Sequence, residues 1–463
     1  SFINELIDSQ ILISEIKPTI CGKSPEFFFH NKVNTLQNRV LNINNDKSNY
    51  INPNNEQDIK TIIKSNKISI SKQTLTKIKE TFLALNKIPV NHQSFHFKEF
   101  IRSFKKRYGT QQVDLCEALD LSYGVGYPIN PNYEDDFIRN NLVISDIQKK
   151  SKVLNWSEFV ASLNQELQSK NNIKNNTLYL QNSFFDQFEN ADKFSSSFSI
   201  LVELYKFNEE TKIYFDAALG NSATKLFSKY SNTQKEIGSL VQEICEVEHK
   251  QNTNAILAEI IHLPSSGVSE IVQTGVKRDF EITVLTPSQR SVENQIPLKD
   301  LCVYMQGDEL VLKSKKLDKR IKPILSNAHN YADSKLGVYR FLCDYSYYKQ
   351  RKSVNFIWGS LKEVYKRLPR VELNNVIISK AKWFLNKSDL KAINSTNSFD
   401  EKYRLFKCLK KQYEIVDEIN FVERDRTLYI HTENDFMLKL FFSRIKNKIN
   451  IELEEFLFLK ALL

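Results

Sequence analysis

Two pairs of strand-like segments, each joined by a short polar connection, constrain the fold of this chain more than any other feature. In the first pair, the β-branched and aromatic run FSILVELYKF is separated from KIYFDAAL by NEET. In the second pair, CVYM and LVLKS flank QGDE. Such runs on either side of a short polar connection are typical of antiparallel hairpins. The chain therefore predicts antiparallel sheet, without a regular alternation of strand and helix.

Helical periodicity complements these strands. Apolar residues recur at three- and four-residue steps over residues 58–85, 97–108 and 233–250, which predicts amphipathic helices with one face packed inward. Ser398 stands three residues before Glu401, a capping-box pattern that predicts a helix running to Tyr413. Strand-like runs INFVERD and TLYIHT follow, and a last helix is expected from about Asp435.

These elements predict an α+β fold with mixed, mostly antiparallel sheets and packed helices. The chain has 463 residues, of which 41% are hydrophobic, and it exceeds the length at which single cores usually stop growing. We therefore expect two or three packed subdomains. The Asn-rich residues 42–57 predict a surface loop between compact parts.

The cysteines and the apolar runs indicate a cytoplasmic protein. Six cysteines lie far apart, with no CxxC pair, which suits a reducing compartment. No apolar run approaches the roughly 18 residues needed to cross a bilayer, and the opening SFINELIDSQ carries acids where a secretory signal carries bases.

The net charge is compatible with a polyanionic partner. Lys and Arg number 65 against 55 Asp and Glu, which gives a formal charge of +10. Such an excess favours association with nucleic acid. The Asn- and Lys-rich composition can equally reflect genome composition, so the charge alone leaves both interpretations open.

Familiar catalytic signatures are absent. With 11 glycines, the chain has neither a GxxxxGK loop nor a GxGxxG motif, and its histidines form no HExxH. His92 and His96 have the spacing of metal ligands but no intervening Glu, so we expect no metal site. Ser265 and Ser266 lack a GxSxG elbow and are interpreted as a polar turn. These absences favour chemistry in which the reactive group arrives on a partner, without a bound cofactor.

Several longer stretches resemble one family. The stretch AEIIHLPSSGVSEIVQTGVKRDFEI, the later IPLKDLCVYMQGDELVLKSKKLDKRIKPILSNAHNY, and VYRFLCD with LPRVELNNVIISKAKWFL are similar to blocks of the lantibiotic dehydratase family. Upstream, FIRSFKKRYGTQQVDLCEALDLSYGVGYP resembles the family's acidic, glycine-containing loop. The resemblance runs from ELIDSQILISEIKP to INFVERDRTLYI and covers nearly the whole chain.

The resemblance implies a leader-guided enzyme that uses glutamyl-tRNA to esterify Ser and Thr side chains of a precursor peptide, the first half of dehydration. Glutamyl-tRNA would be a co-substrate, and a separate elimination domain would later expel glutamate. The implied partners are aminoacyl-tRNA and a precursor peptide with its leader. An elimination-domain or cyclase protein and a second copy of the chain are further candidates. Two alternatives stay open: a peptide aminoacyl-tRNA ligase of the same family, and a noncatalytic scaffold for precursor peptide or RNA.

The resemblance also implies a domain division. Residues 1–30 would be the remnant of a winged-helix element that binds the leader by strand addition. Residues 31–250 and 251–463 would be the first and second α+β parts of the glutamylation domain. The family's TPFG-like N-terminal stretch and its elimination domain do not occur here, and the chain opens without Met. We therefore expect an excerpt of a longer protein or a split protein.

Three residues are expected to be catalytic, namely Asp120, Arg278 and Arg320. Arg278, in VKRDFEI, matches the family's basic position and would recognise the tRNA end or the glutamyl group; the alternative is a surface ion pair with Asp279 or Glu281. Asp120, at the start of DLSYGVGYP, would orient the attacking hydroxyl or bind the glutamyl amine; the alternative is an Asp that caps a tight loop.

A second group is expected to bind tRNA. Its members are Lys229, Lys277, Lys313, Lys315, Lys316, Lys319 and His329. Four of these lysines flank Arg320 in the densest basic stretch, which would contact phosphates; the alternative is a solvated strand edge protected by Lys. His329 would orient a group or accept a proton, or would be a structural histidine closing a turn.

Two further features leave alternatives open. Lys229 occupies what resembles an Arg position in the family and loses the planar fork of that side chain. Tyr345, Tyr347 and Tyr348 could stack on unpaired bases of the acceptor end, or could belong to the core of a helix.

Overall fold

In the computed structural model, the described residues form three sheets with helices packed against them. These residues are 69–89, 93–129, 156–169, 173–189, 193–207, 210–232, 234–262, 275, 278–423 and 426–457.

The helices in this part of the chain are α1 (Lys72–Leu85), α2 (Phe95–Tyr108), α3 (Leu115–Ala118), α4 (Glu158–Gln168), α5 (Asn182–Asp186), α6 (Thr224–Phe227), α7 (Lys235–Gln251), α8 (Gly337–Tyr345), α9 (Leu361–Val364), α10 (Lys387–Ser395), α11 (Phe399–Tyr413) and α12 (Asp435–Ile445). The strands are β1 (Val113–Asp114), β2 (Ile173–Lys174), β3 (Thr177–Leu180), β4 (Ser199–Phe207), β5 (Glu210–Leu219), β6 (Ile256–Ile261), β7 (Phe280–Thr283), β8 (Gln295–Pro297), β9 (Leu301–Gln306), β10 (Glu309–Ser314), β11 (Lys319–Ile324), β12 (Ser353–Val354), β13 (Arg367–Leu368), β14 (Arg370–Leu373), β15 (Val376–Ser379), β16 (Lys382–Leu385), β17 (Glu418–Glu423), β18 (Arg426–His431) and β19 (Ile451–Glu455).

The first sheet has the strand order β1-β9-β10-β11-β6-β7-β8. β9 and β10 form the antiparallel hairpin predicted around QGDE, and Gly307 adopts a φ of 62° in its turn. From β11 through β6 and β7 to β8 the pairing is parallel. Phe97, Phe100 and Phe104 of α2 pack with Phe341 of α8 into the core beside this sheet. The predicted helix over residues 97–108 is therefore confirmed and begins two residues earlier.

The second sheet has the order β12-β5-β15-β14-β3-β2, with β4 paired to β5. β4 and β5 are the antiparallel hairpin predicted from FSILVELYKF and KIYFDAAL, with a bulge between Leu201 and Val202. Ile78 and Leu85 of α1 join its core. The predicted helix over residues 58–85 is present from Lys72 onward, and residues 58–68 lie outside the described residues.

The third sheet is antiparallel throughout and has the order β13-β16-β19-β17-β18. Its hairpin of β17 and β18 is the pair predicted from INFVERD and TLYIHT. Helices α10, α11 and α12 contribute to the core around the buried Trp383. The strand predictions and the helix expected from Asp435 are confirmed here.

The capping-box prediction for α11 is half right. Ser398 Oγ accepts the N–H of Glu401 at 3.4 Å, as the pattern requires. The reciprocal bond is replaced, because Thr396 Oγ1 accepts the Ser398 N–H and donates to the Glu401 carboxylate. A complete capping box occurs instead at α10, between Asn386 and Asp389.

The α+β prediction with mostly antiparallel sheets is confirmed, because antiparallel pairings outnumber parallel ones. Each sheet has its own hydrophobic cluster. The division at residue 250 stays a prediction, although the first and second sheets both take strands from either side of it. Residues 1–30 lie outside the described residues.

The cysteines and the apolar character of the helices can be compared with the structure directly. Each of the five cysteines in the described residues is a free thiol. Among the described helices, none has the length and apolar character that a bilayer crossing requires. The cytoplasmic location stays a prediction.

Phe100 offers a test of the first core. Its side chain is fully buried against Phe104, Tyr127 and Phe341. Phe100→Ala should lower the free energy of unfolding by about 3–5 kcal/mol, because the lost contacts leave a cavity. Phe95→Ala on the same helix is the control, since Phe95 is 57% exposed. Urea unfolding measures the stability of both variants. Equal unfolding midpoints would contradict the burial of this face of α2 against the first sheet.

Candidate active-site cleft

Arg278 lies just before β7 and makes a buried ion pair with two carboxylates. Its Nη2 is 2.7 Å from Glu248 Oε2 on α7, and its Nε is 3.1 Å from Glu259 Oε2 on β6. The three side chains are 1–3% exposed. The sequence-based alternative of a surface pair with Asp279 or Glu281 is therefore wrong, because the partners are buried on other elements.

Neighbouring hydroxyl groups complete this network. Ser326 donates to Glu259 through its N–H at 2.8 Å and its Oγ at 2.7 Å. Ser197 Oγ donates to Glu248. The guanidinium also lies 3.3 Å from Ser222 Oγ. Buried charges are tolerated when they are paired and hydrogen-bonded, so the network holds α7, β6 and two loops in one arrangement.

Burial shifts the ionisation of two groups beside this arginine. Burial raises the pKa of Glu259, although Arg278 and the Ser326 donors oppose the shift. Burial also raises the pKa of Cys245, to about 11. The thiol of Cys245 is therefore protonated at neutral pH, and a thiolate is the nucleophilic form of cysteine. Cys245 is unsuited to act as a nucleophile here.

A cleft of about 860 Å³ opens beside the ion pair. It lies between the C-terminal half of α7, the loop 252–255 and the start of β6, β7 and β11. Arg278 is one of its lining residues. Its other basic lining residues are His249, Lys250, Lys319 and Arg320, and its acidic ones are Glu246, Asp279 and Asp318. The cleft thus combines a rigid charged network with cations that are accessible to solvent.

Arg320 is the cleft residue best suited to a ligand. Its side chain is 38% exposed, with Nη1 3.6 Å from Glu309 and Nη2 donating to Gln306. An ion pair of this length between half-exposed groups is weak. The guanidinium can therefore exchange Glu309 for an anionic ligand, whereas Arg278 is committed to two buried carboxylates.

The other lysines of the dense basic stretch do not line the cleft, except for Lys319. Lys313 pairs with Asp318, and Lys315 Nζ lies 2.9 Å from Asp114 on β1. Lys316 is exposed on the turn that follows β10. The stretch therefore divides between a cleft-facing end and a solvated turn after β10. The strand-edge alternative does not hold, because β10 and β11 are each paired on both sides. The role of the stretch in tRNA binding stays a prediction.

Asp120 is not among the residues that line the cleft. Its carboxylate accepts the N–H groups of Ser122 at 2.7 Å and Tyr123 at 2.8 Å, which lower its pKa. Gly124 is required in this loop because a Cβ there would lie 2.0 Å from a backbone oxygen. Gly126 has a φ of +81°. The geometry favours the loop-cap alternative, so two of the three expected catalytic residues share the cleft and the third does not.

The remaining expected tRNA contacts have local partners or lie outside the described residues. His329 Nδ1 is 2.9 Å from the Tyr339 hydroxyl, and burial lowers its pKa, which favours the structural alternative. Lys229 Nζ lies 4.7 Å from the ring centre of Tyr230. Lys277 lies outside the described residues.

The tyrosines considered for base stacking belong to the core. Tyr347 is 5% exposed. The Tyr345 hydroxyl accepts the N–H of Leu312 at 2.9 Å and donates to the carbonyl of Leu310 at 3.1 Å. Tyr348 accepts from the N–H of Leu310 at 3.2 Å. Tyr345 is the last residue of α8, and Tyr347 and Tyr348 follow it. All three pack in the core beside the first sheet, which favours the core alternative over base stacking.

The histidine and serine pairs set aside as metal ligands or nucleophiles are only partly described. His96 Nδ1 is 2.6 Å from the carbonyl oxygen of Ile129, and His92 lies outside the described residues, as do Ser265 and Ser266. Within the described ranges, no group of three or more His, Cys, Asp or Glu side chains is arranged to hold a metal ion.

Sequence reasoning missed a second polar cluster around Asp344. This carboxylate accepts from the Tyr127 hydroxyl at 2.5 Å, from Ser94 at 3.1 Å and from Tyr331 at 3.3 Å. Lys352 Nζ is 3.4 Å away. No local pattern marks the cluster, because Ser94 and Asp344 are 250 positions apart in the chain.

Comparison with known proteins assigns the family. The family described as "Lantibiotic dehydratase, N terminus" matches residues 30–441. This chain belongs to that lantibiotic dehydratase family.

Individual relatives support the same assignment. The chain is 23% identical over 360 residues to the subtilin biosynthesis protein SpaB of Bacillus subtilis, covering 76% of this chain and 34% of SpaB. It is 23% identical over 493 residues to the epidermin biosynthesis protein EpiB of Staphylococcus epidermidis, covering 98% of this chain and 47% of EpiB. The chain thus spans between about a third and a half of the length of these relatives.

A solved structure shares the fold. The tRNA-dependent lantibiotic dehydratase MibB from Microbispora sp. 107891 superposes with a TM-score of 0.67 at 17% identity. The match covers 82% of this chain and 37% of the MibB chain.

Arg278→Met tests the buried network. The substitution leaves two carboxylates buried without their cation and should lower the free energy of unfolding by about 3–5 kcal/mol at pH 7.5. Burial already places the folded-state pKa of Glu259 above its unfolded value, so its contribution to stability is lost as pH rises through that pKa. Removing Arg278 should raise the pKa of Glu259 further, because the cation that favours its charged form is gone. The loss in free energy of unfolding caused by Arg278→Met should therefore shrink as pH falls towards 5, where Glu259 is protonated.

Urea unfolding at the two pH values measures this penalty. Arg102→Met is the control, because that side chain is 81% exposed and its loss should cost about 0.5 kcal/mol or less. A penalty for Arg278→Met that matches the control, or that grows at acidic pH, would show that the carboxylates do not depend on Arg278.

Proposed function

We propose that this chain is part of an enzyme that transfers glutamate from glutamyl-tRNA to Ser and Thr side chains of a ribosomal precursor peptide, the first half of dehydration. The observation that carries the proposal is the family match over residues 30–441. We assign the aminoacyl end of the tRNA to the cleft beside Arg278, and its lining of solvent-accessible cations supports this assignment.

The proposed reaction is a transesterification. The peptide hydroxyl oxygen attacks the carbonyl carbon of the glutamyl ester, and the bond from that carbon to the ribose oxygen breaks. The hydroxyl proton is transferred to the ribose oxygen, and the glutamyl ester passes to the peptide. Negative charge develops on the carbonyl oxygen during attack, so the protein mainly aligns two substrates and stabilises that charge.

The cleft offers residues for both tasks. Arg320 can hold a phosphate or the glutamyl carboxylate through its planar fork, and Lys319 adds a point charge beside it. Arg278 does not contact the substrate in this proposal. Its buried pairs hold α7 and β6 in place, so it is a positioning residue rather than a ligand contact.

The proposed partners follow from the reaction. They are glutamyl-tRNA as the co-substrate, a precursor peptide with its leader, and an elimination domain on the same or another chain. A peptide aminoacyl-tRNA ligase would also use an aminoacyl-tRNA donor but would attach the aminoacyl group to a peptide carboxyl end. A scaffold would bind peptide or RNA without transfer.

A transfer assay tests the proposal. The full-length protein, with any partner chain, is incubated with glutamyl-tRNA and its precursor peptide, and mass spectrometry follows the peptide. We expect a glutamyl mass increment on Ser or Thr. An increment at the peptide carboxyl end, or unmodified peptide that still binds, would replace the proposal with the ligase or the scaffold.

Arg320→Gln tests the role of the cleft in that assay. Loss of a charged hydrogen bond worth about 1.5–3 kcal/mol should lower the rate of glutamyl transfer about 10- to 150-fold without changing the melting temperature. Lys411→Gln, an exposed change on α11, is the control and should leave the rate unchanged. Transfer at the wild-type rate by Arg320→Gln would remove this residue from the site.

A further inference from the structure

Helix α2 presents a basic face to solvent that the sequence-based expectations did not include. Its buried side is fixed by Phe97, Phe100 and Phe104, which are at most 1% exposed. The opposite side carries Lys98, Arg102, Lys105 and Lys106, all exposed. At about 1.5 Å per residue, these cations extend over about 12 Å along the helix axis.

Ordinary helix stabilisation does not explain this whole face. Cations in the last turn interact favourably with the helix dipole, which accounts for Lys105 and Lys106. Lys98 and Arg102 precede that turn. Arg102 is 81% exposed, and its Nε lies 3.5 Å from the carboxylate of Glu99 on the same helix. Lys98 and Arg102 therefore contribute little to the stability of the helix.

Arg107 has a different role and does not belong to this face. Its Nη1 donates to the carbonyl of Gly124 at 2.9 Å, and its Nη2 to that of Tyr123 at 2.6 Å. These bonds attach the end of α2 to the loop that contains Asp120. The helix is thus anchored at one end, and its basic face is held in a fixed orientation.

A chain of exposed ion pairs connects the basic face to the cleft. Lys105 Nζ is 2.6 Å from Asp308 in the turn between β9 and β10. The next residue, Glu309, is 3.4 Å from Lys349 and 3.6 Å from Arg320. Arg320 lines the cleft. Exposed ion pairs of this kind are weak and are screened by salt. These cations can therefore exchange their carboxylate partners for phosphate groups of a ligand.

We propose that the basic face of α2, continued by Lys349 to Arg320, binds the phosphate backbone of the tRNA whose aminoacyl end enters the cleft. This inference rests on the proposed function and adds a second contact surface outside the cleft. Cations spaced along a helix face neutralise successive phosphates without reading bases, and each neutralised phosphate releases counterions. Binding through this surface is therefore steeply salt-dependent.

The test measures binding rather than transfer. Deacylated tRNA(Glu) is titrated into the full-length protein at several salt concentrations. The variant K98Q/R102Q/K106Q removes three exposed charges and keeps residues that favour helix. Its control, K391Q/R404Q/K411Q, makes the same change in charge at exposed positions on and beside α11. Circular dichroism confirms that both variants are folded.

We expect the α2 variant to bind tRNA at least about tenfold more weakly at low salt, with a salt slope smaller by about 2 to 3. The control should stay within about twofold of wild type. Equal weakening in both variants would mean that only net charge matters, and wild-type binding by the α2 variant would overturn the inference.

Two further measurements distinguish tRNA binding by α2 from membrane binding and from the proposed transfer function. Vesicles containing 30% phosphatidylserine provide the alternative anionic surface, and loss of vesicle binding with unchanged tRNA binding would overturn the inference in favour of a membrane. If the α2 variant loses tRNA binding while no glutamate reaches the peptide, the α2 surface stands and the proposed function fails. If glutamate reaches the peptide and the α2 variant binds tRNA as wild type does, the proposed function stands and the α2 surface fails.

Discussion

The buried ion pair of Arg278 with Glu248 and Glu259 is the interaction on which the rest of the cleft depends. It joins α7 to β6, and its serine donors bring in the segments around residues 197 and 326. Taking three charges out of water is costly, and the cost is offset only while every partner is in place. The arrangement therefore tolerates little displacement of the helix against the sheet.

This rigidity gives the two arginines of the cleft different tasks. Arg278 is enclosed by its carboxylates and shapes the site, whereas Arg320 is half-exposed and weakly paired. A preorganised charge stabilises a transition state better than one that must reorient, because no reorganisation is needed during the reaction. The proposed donor site thus combines a fixed framework with one cation that is free to change partners.

Most elements of the fold were predictable, because hairpins and amphipathic helices are encoded by neighbouring residues. The hairpin of β4 and β5 and the helix α11 were both expected from local patterns. The partners of Arg278 were not, because Glu259 becomes a neighbour only through the parallel pairing of β6 with β7. Asp120 was interpreted as catalytic from family resemblance, but its loop supplies two N–H donors that favour a capping role.

Photo-crosslinking tests most directly whether the cleft receives the aminoacyl end of a tRNA, as proposed. Thr253, which lines the cleft, is replaced by p-benzoylphenylalanine, and exposed Asn397 on the third-sheet side serves as the control position. After irradiation with glutamyl-tRNA, the account predicts an adduct at position 253 that maps to the 3′-terminal nucleotides. An adduct no stronger than at position 397, or one that maps elsewhere on the tRNA, would contradict it.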